Sequence, residues 1–213
     1  MKAINKRTLV LTSIVILLPM FVGLILWNRL PEQMPTHFGF NGTADGYSGR
    51  PFAIIGLPLF LLAIQLLCAF ALRADPKKQN ISEKLVQLPL WTCPAVSLFV
   101  GISMYASALG FLFNINRLVS VFVGLLFVVM GNYLPKCRHN YTMGIRIPWT
   151  LADEENWNHT HRFAGYVWIL VGLVITASAF FGGMNNVLTV LLIAAAASPV
   201  VYSYVYAKRH GKI

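Results

Sequence analysis

Six stretches of the chain contain no Asp, Glu, Lys, Arg or His: 8–27, 52–72, 88–113, 118–134, 163–181 and 187–206. Each is near the length at which a helix crosses about 30 Å of hydrocarbon. The pattern therefore predicts an all-α polytopic membrane protein with six spans. The run 118–134 is the shortest, whereas 88–113 is long enough to cross at a tilt. Pro19, Pro58, Pro89, Pro94 and Pro199 fall inside these runs. Neighbouring helices can re-satisfy the carbonyls that proline frees, so these positions read as kinks. Gly101 and the small residues of 194–198 are expected at close helix contacts. The isolated polar Gln65 and Asn132 are expected in interhelical hydrogen bonds.

Composition supports this picture. Of 213 residues, 57% are hydrophobic and only 11% charged, whereas a soluble domain carries about a quarter charged residues. The mean hydropathy is +0.65. A surface so poor in charge has to face lipid over much of its area.

Charge then orients the bundle. The net charge of +10 comes from 17 Lys and Arg against 7 Asp and Glu. With the N-terminus inside, the inner segments hold Lys2, Lys6 and Arg7, then Arg73, Lys77, Lys78 and Lys84, then Lys136, Arg138, Arg146 and Arg162, then Lys208, Arg209 and Lys212. The outer segments hold only Arg29, Arg50 and Arg117. Cytoplasmic loops concentrate cations, so both termini are expected in the cytoplasm. Removing any one span would break the alternation. The cations are thereby explained without direct binding of nucleic acid. Run 8–27, with Lys2, Lys6 and Arg7 before it and no small-residue cleavage site after it, reads as a retained signal anchor.

The spans lack the intramembrane carboxylate, His or Lys that pumps and ion-coupled carriers use to hold a coupling charge. Cys68, Cys93 and Cys137 form neither a disulfide framework nor a Cys-x-x-Cys metal motif. Chemistry is therefore sought in the loops.

The outer loop, 28–51, carries Pro31, Pro35, four glycines and Asn41-Gly42, and is expected to be irregular and rich in turns. His37 is its one side chain that titrates near neutral pH. Asn41-Gly42-Thr43 also matches a glycosylation sequon, a pattern common by chance. The inner loop, 135–162, is denser in functional groups. Pro148 holds Ile147 extended. Thr150 and Asp153 read as a capping box, with the acids Asp153, Glu154 and Glu155 in the first turn of a helix that runs into the fifth span. Trp157, His161 and Ala164 share one face of it, and Trp149 and Trp157 are expected at headgroup depth. Arg146 either caps helix carbonyls or pairs with Asp153 or Glu154. Three sharper readings stand beside this structural one. His159 and His161, with His139, could hold a metal, although helical neighbours two apart point to nearly opposite faces. Asp153, Glu154 or Glu155 could act with a His as acid and base. Arg146 and Arg162, flanking a Trp-rich and Pro-fixed segment, suit recognition of lipid headgroups, a peptide or a protein.

The segment Gly144-Ile145-Arg146-Ile147-Pro148-Trp149-Thr150-Leu151 has Asn140 before it and Trp157 and His161-Arg162-Phe163 after it. It resembles the signature of the SdpI-type immunity protein family, and Gly131-Asn132 in the preceding run fits too. Pro31, Pro35, His37 and Gly42, ahead of the second run, resemble the DUF1648-like membrane domain often joined to it. The family commonly has Thr where Ile147 stands, so one hydroxyl of the motif is missing here. The resemblance implies a two-span domain over 1–87 and a four-span domain over 88–213. It further implies a multi-pass protein of the bacterial cytoplasmic membrane that protects against a secreted peptide toxin. The family's best-known member also holds a small DNA-binding repressor at the membrane. By resemblance, binding residues would be Asn140, Gly144, Arg146, Pro148, Trp149, Thr150, Trp157, His161 and Arg162 inside, and Pro31, Pro35, His37 and Gly42 outside. No catalytic residue, cofactor or metal is implied. The alternatives are a membrane enzyme using His37 or the His159/His161 pair, and a small-molecule transporter.

Overall fold

The computed structural model describes residues 4–39, 42–111, 113–181 and 185–212, with backbone alone at 185–187. Lys2 of the charge count and Asn41 of the sequon lie outside these residues. Six helices are long and apolar enough to span a membrane: Lys6–Ile25, Phe52–Ala74, Glu83–Ala108, Ile115–Lys136, Glu154–Ser178 and Leu188–Arg209. The six-span, all-α expectation is met, and the chain is a multi-pass membrane protein.

We label the helices α1 (Lys6–Ile25), α2 (Leu57–Ala74), α3 (Glu83–Ala108), α4 (Ile115–Tyr133), α5 (Pro148–Ala152), α6 (Glu154–Ser178) and α7 (Asn185–Arg209). A π-helical turn, Phe52–Gly56, leads into α2. The outer loop is more ordered than its composition predicts. β1 (Gln33–Phe38) and β2 (Ala44–Gly49) pair antiparallel, with irregular register around His37. Gly and Pro disfavour strands, but here tertiary anchoring outweighs propensity. Met34 and Leu30 pack with Ala53, Ile54, Met104 and Tyr105. Arg50 donates to the carbonyls of Trp27 (2.8 Å) and Leu30 (2.9 Å), and its guanidinium lies 4.7 Å from the Trp27 ring.

The chain forms two compact units. Of the described residues, one comprises those within 4–73 and 86–115, the other those within 74–85 and 116–212. In the first unit, polar side chains tie helix to helix as expected for a lipid-immersed bundle. Gln65 donates to the hydroxyls of Thr12 and Ser13, each at 3.1 Å. Ser97 and Tyr105 donate to the carbonyls of Ile16 and Pro19, both at 2.7 Å. A Cβ on Gly101 would stand 2.6 Å from Pro19, which accounts for the small residue there. Asn132 departs from expectation: it accepts from Lys136 one turn later, at 3.1 Å, and joins no second helix by that bond.

In the second unit α4 and α6 approach through two glycine pairs. A Cβ on Gly124 would lie 2.6 Å from the Gly172 carbonyl, and one on Gly172 2.5 Å from the Gly124 carbonyl. Gly131 and Gly165 stand in the same relation at 2.9 Å each way. α7 packs on α6 around Val171, Ile175 and Ala195, and the Trp168 indole donates to the Ala195 carbonyl at 2.9 Å.

Candidate functional site

The 135–162 segment folds onto the start of α6. Ile147 is extended (φ −119°, ψ 161°), as Pro148 requires, and Pro148 opens the short helix α5. Thr150 does not cap α6 as the sequence suggested. Its hydroxyl accepts from the Ile147 amide (3.1 Å) and donates toward the Ile145 (2.7 Å) and Ile147 (3.0 Å) carbonyls. Ile147 has no side-chain acceptor with which to return the bond. Asp153 alone caps α6, accepting from Glu155 (3.4 Å) and Asn156 (3.0 Å). The misreading has a simple cause: Thr and Asp are both good caps, and only the extended backbone of Asp153 (φ −139°, ψ 119°) decides between them.

Trp157 is 0% exposed and faces protein, not solvent or lipid. Its indole donates to the Cys137 carbonyl at 2.7 Å. The His161 ring stacks on it at 4.0 Å, and His139 meets it edge-on at 5.0 Å. Trp157, His161 and Ala164 are all buried.

Both histidines are fully engaged. His161 Nδ1 lies 2.8 Å from the Trp157 carbonyl, and Nε2 lies 2.9 Å from the Ile145 amide. A carbonyl can only accept and an amide can only donate, so the proton sits on Nδ1 and the ring is neutral. Gly144, at φ +103°, passes so close that a Cβ there would collide with His161 Nε2. His139 Nε2 donates to Leu151 O at 3.1 Å, and its Nδ1 faces Lys77 Nζ at 2.7 Å. His159 turns elsewhere and stacks on Tyr206 at 5.0 Å. The three histidines considered as metal ligands therefore do not converge. No set of three His, Cys, Asp or Glu among the described residues could hold a metal.

Asn140, 0% exposed, organises the turn before Gly144. Its carbonyl accepts from Thr142 (2.9 Å) and Met143 (2.7 Å), and its amide donates to Arg138 O (2.8 Å) and Cys137 Sγ (3.3 Å). Burial pushes the Cys137 thiol up to about 11, against the lowering effect of the Asn140 bond.

Asp75, only 3% exposed, is the anchor that sequence reasoning missed. It accepts from Lys77 N (2.7 Å), Tyr141 N (2.9 Å) and the Thr142 hydroxyl (2.5 Å). Asn80 adds a bond to the His139 carbonyl at 2.7 Å. The connection between α2 and α3 thus belongs to the site. The available signal was one carboxylate beside Pro76 in a loop otherwise holding Arg73, Lys77 and Lys78.

The charged groups divide differently from expectation. Arg146 is exposed and donates to Tyr141 O at 2.7 Å; it pairs with neither Asp153 nor Glu154 by any described bond. Asp153 instead binds Lys212 at 2.6 Å, and Glu155 binds it at 3.2 Å. Burial raises the Asp153 pKa, but the Lys212 bond and the capped amides outweigh it, so the carboxyl sits below its usual value. Lys212 is held above its own. Arg162 is exposed, and Trp149 is half-buried, edge-on to Tyr204 at 5.2 Å. At the hairpin, Pro31 is exposed, Pro35 is buried, and Gly42 makes the turn at φ +78°. His37 is exposed and lies 2.5 Å from Asp45.

Residues 136–203 match the model of the SdpI/YfhL protein family. This segment is similar to that family. Residues 14–62 match a second model, the domain of unknown function DUF1648. The chain is also similar to a Bacillus subtilis (strain 168) protein named Immunity protein SdpI, with 28% identity over 202 residues, covering 94% of this chain and 96% of that one. No solved structure matches. The matched segment begins at Lys136 and takes in Cys137, His139 and Asn140, the Gly144–Leu151 motif, Trp157 and His161. The motif therefore coincides with the buried hydrogen-bonded cluster around Trp157.

Proposed function

We propose that this chain is a non-enzymatic immunity protein of the bacterial cytoplasmic membrane, directed against a secreted membrane-active peptide. The alignment with an immunity protein along nearly the whole of both chains carries this reading. The site chemistry supports it: His139, His161, Asn140 and Thr150 all have their polar atoms tied up in structural bonds, which suits a scaffold. In this reading both termini are cytoplasmic, from the cation distribution. The β1–β2 hairpin, with Pro31, Pro35, His37 and Gly42, faces the toxin from the outside. The 135–162 fold faces the cytoplasm and presents exposed Arg146 and Arg162 beside Trp149 to a partner, which would be a cytoplasmic repressor if the protein signals. The proposed modules are 1–87 and 88–213.

The test is survival of a toxin-sensitive bacterium expressing the protein and challenged with membrane-active peptides from related strains. Wild type is compared with Arg146→Ala and with a variant lacking the 33–49 hairpin, after each is verified in the membrane. Protection by wild type that is lost with the hairpin supports the reading. Protection by no form against any peptide refutes it. Equal protection by Arg146→Ala removes Arg146 from immunity and leaves it to signalling, read separately by pull-down of a repressor.

A further inference from the structure

His139 is 4% exposed and is held in one neutral form by two bonds. Its Nε2 lies 3.1 Å from the Leu151 carbonyl, which can only accept, so the ring proton sits there. Its Nδ1 is therefore bare, and the Lys77 ammonium donates to it at 2.7 Å. That bond fastens the connection between α2 and α3 to the 137–151 segment. Asp75 and Asn80 fasten the same junction, through Tyr141 N, the Thr142 hydroxyl and the His139 carbonyl. His139 is the one imidazole among these ties, and imidazole alone ordinarily changes charge between about pH 5 and 8. From the α2–α3 connection the ring meets Lys77, with Asp75 one bond further on at the Tyr141 amide. Its own segment supplies Tyr141, edge-on at 5.9 Å, and α6 supplies Trp157, with His161 stacked behind it. Among the described residues no carboxylate bonds the ring. A second proton can enter only at Nδ1, and it replaces an acceptor by a donor 2.7 Å from an ammonium. Two like charges that close repel, so the protonated ring and Lys77 cannot keep this contact. Lys77 also lies 5.5 Å from the centre of the Tyr141 ring, and the Tyr141 carbonyl receives Arg146. Losing the contact therefore frees the turn that carries Tyr141 and Arg146.

We propose that Lys77 and His139 form a proton-operated clasp. With His139 neutral the clasp fastens the α2–α3 connection to the 137–146 turn. With a proton on Nδ1 it opens, and the turn loosens. Control of a partner at Arg146 by this clasp rests on the proposed function; the clasp itself does not.

The test is amide hydrogen exchange of the full-length protein in phosphatidylcholine nanodiscs, at about pH 7.5 and about pH 5.5, either side of the ordinary imidazole range. Rates are expressed as protection factors, which removes the intrinsic effect of pH on exchange. The expected result is a several-fold loss of protection over 139–147 at the lower pH, reversed on returning to the higher one. His139→Gln keeps a donor and an acceptor but gains no proton, so its protection should be the same at both. Lys77→Gln keeps a donor without a charge, so its acid loss should be smaller than that of wild type. Equal protection of wild type at both pH values overturns the proposal, and that arm requires no variant to fold. An undiminished acid loss in His139→Gln also overturns it, by assigning the titration to another group such as His161. An undiminished loss in Lys77→Gln overturns it too, because repulsion from Lys77 is then not what opens the turn. None of these outcomes depends on a toxin or a partner, so the clasp can fail while the immunity reading stands.

Discussion

Gly144→Ala isolates the closest glycine contact in the segment 136–203. Two costs are predicted. The first is conformational: at φ +103° a residue with a Cβ is disfavoured by about 1–2 kcal/mol. The second is local. The new methyl collides with His161 Nε2, so the ring must leave the Ile145 amide, which it accepts at 2.9 Å. Losing that bond to a 1% exposed imidazole costs about 1–3 kcal/mol. The total is about 2–5 kcal/mol. Gly110→Ala supplies the control, because Gly110 also has positive φ (+81°) but open space around its Cβ position; it should show the first cost alone. Both are measured by equilibrium unfolding in mixed micelles titrated with dodecyl sulfate, followed by Trp fluorescence. If Gly144→Ala loses no more than Gly110→Ala, the contact with His161 is not what demands glycine there, and the packing argument for the motif fails.

Three further outcomes are expected. Asp75→Asn places an amide where three donors converge, from Lys77, Tyr141 and Thr142; it should cost about 1–3 kcal/mol and speed amide exchange at Tyr141, and unchanged exchange would exclude Asp75 as an anchor. Asp153→Asn keeps a good helix cap but loses the Lys212 pair. Because the folded carboxyl titrates below its ordinary 3.8, its advantage is fully present above 3.8 and is lost as the pH falls through the lower folded value. Lys212, held above 10.5, keeps its contribution until more alkaline pH. The gap between wild type and Asp153→Asn in dodecyl sulfate unfolding should therefore be present at pH 7 and shrink progressively as the solution is acidified below 3.8, and a gap that does not depend on pH contradicts the pairing. Cys137, with its thiol pushed up to about 11 and its side chain buried, should resist maleimide at pH 7.5 until the protein is unfolded, the thiolate fraction being well under 1%; rapid labelling of the folded protein, read by mass spectrometry, would place Cys137 at the surface.

The spans were legible because lipid imposes a length and forbids unpaired charge, and both constraints are written directly in the six uncharged runs. The start of the fifth helical segment was legible through Pro148, whose ring restricts Ile147 whatever its surroundings. Elsewhere the outcome depended on contacts distant in sequence. The hairpin is built from residues with poor strand propensity and is held by Arg50 reaching back to Trp27 and Leu30. The burial of Trp157 was not legible locally: it depends on the Cys137 carbonyl, twenty residues away, that receives its N–H. Asp75 lies 66 residues from Tyr141, whose amide it receives, so no local pattern could join them.

The two glycine pairs of α4 and α6 share one arithmetic. Moving seven residues forward on α4, from Gly124 to Gly131, moves seven back on α6, from Gly172 to Gly165. Seven residues are nearly two whole turns, about 10 Å along the axis, so the antiparallel helices are notched at two heights in one register. Sliding either helix by a turn would drive side chains into backbone at both notches together. Axial travel is thereby blocked, and the freedom left to α6 is rolling about the line of glycines. A push on the Trp157 cluster would reach the far end of α6 as rotation and not as displacement.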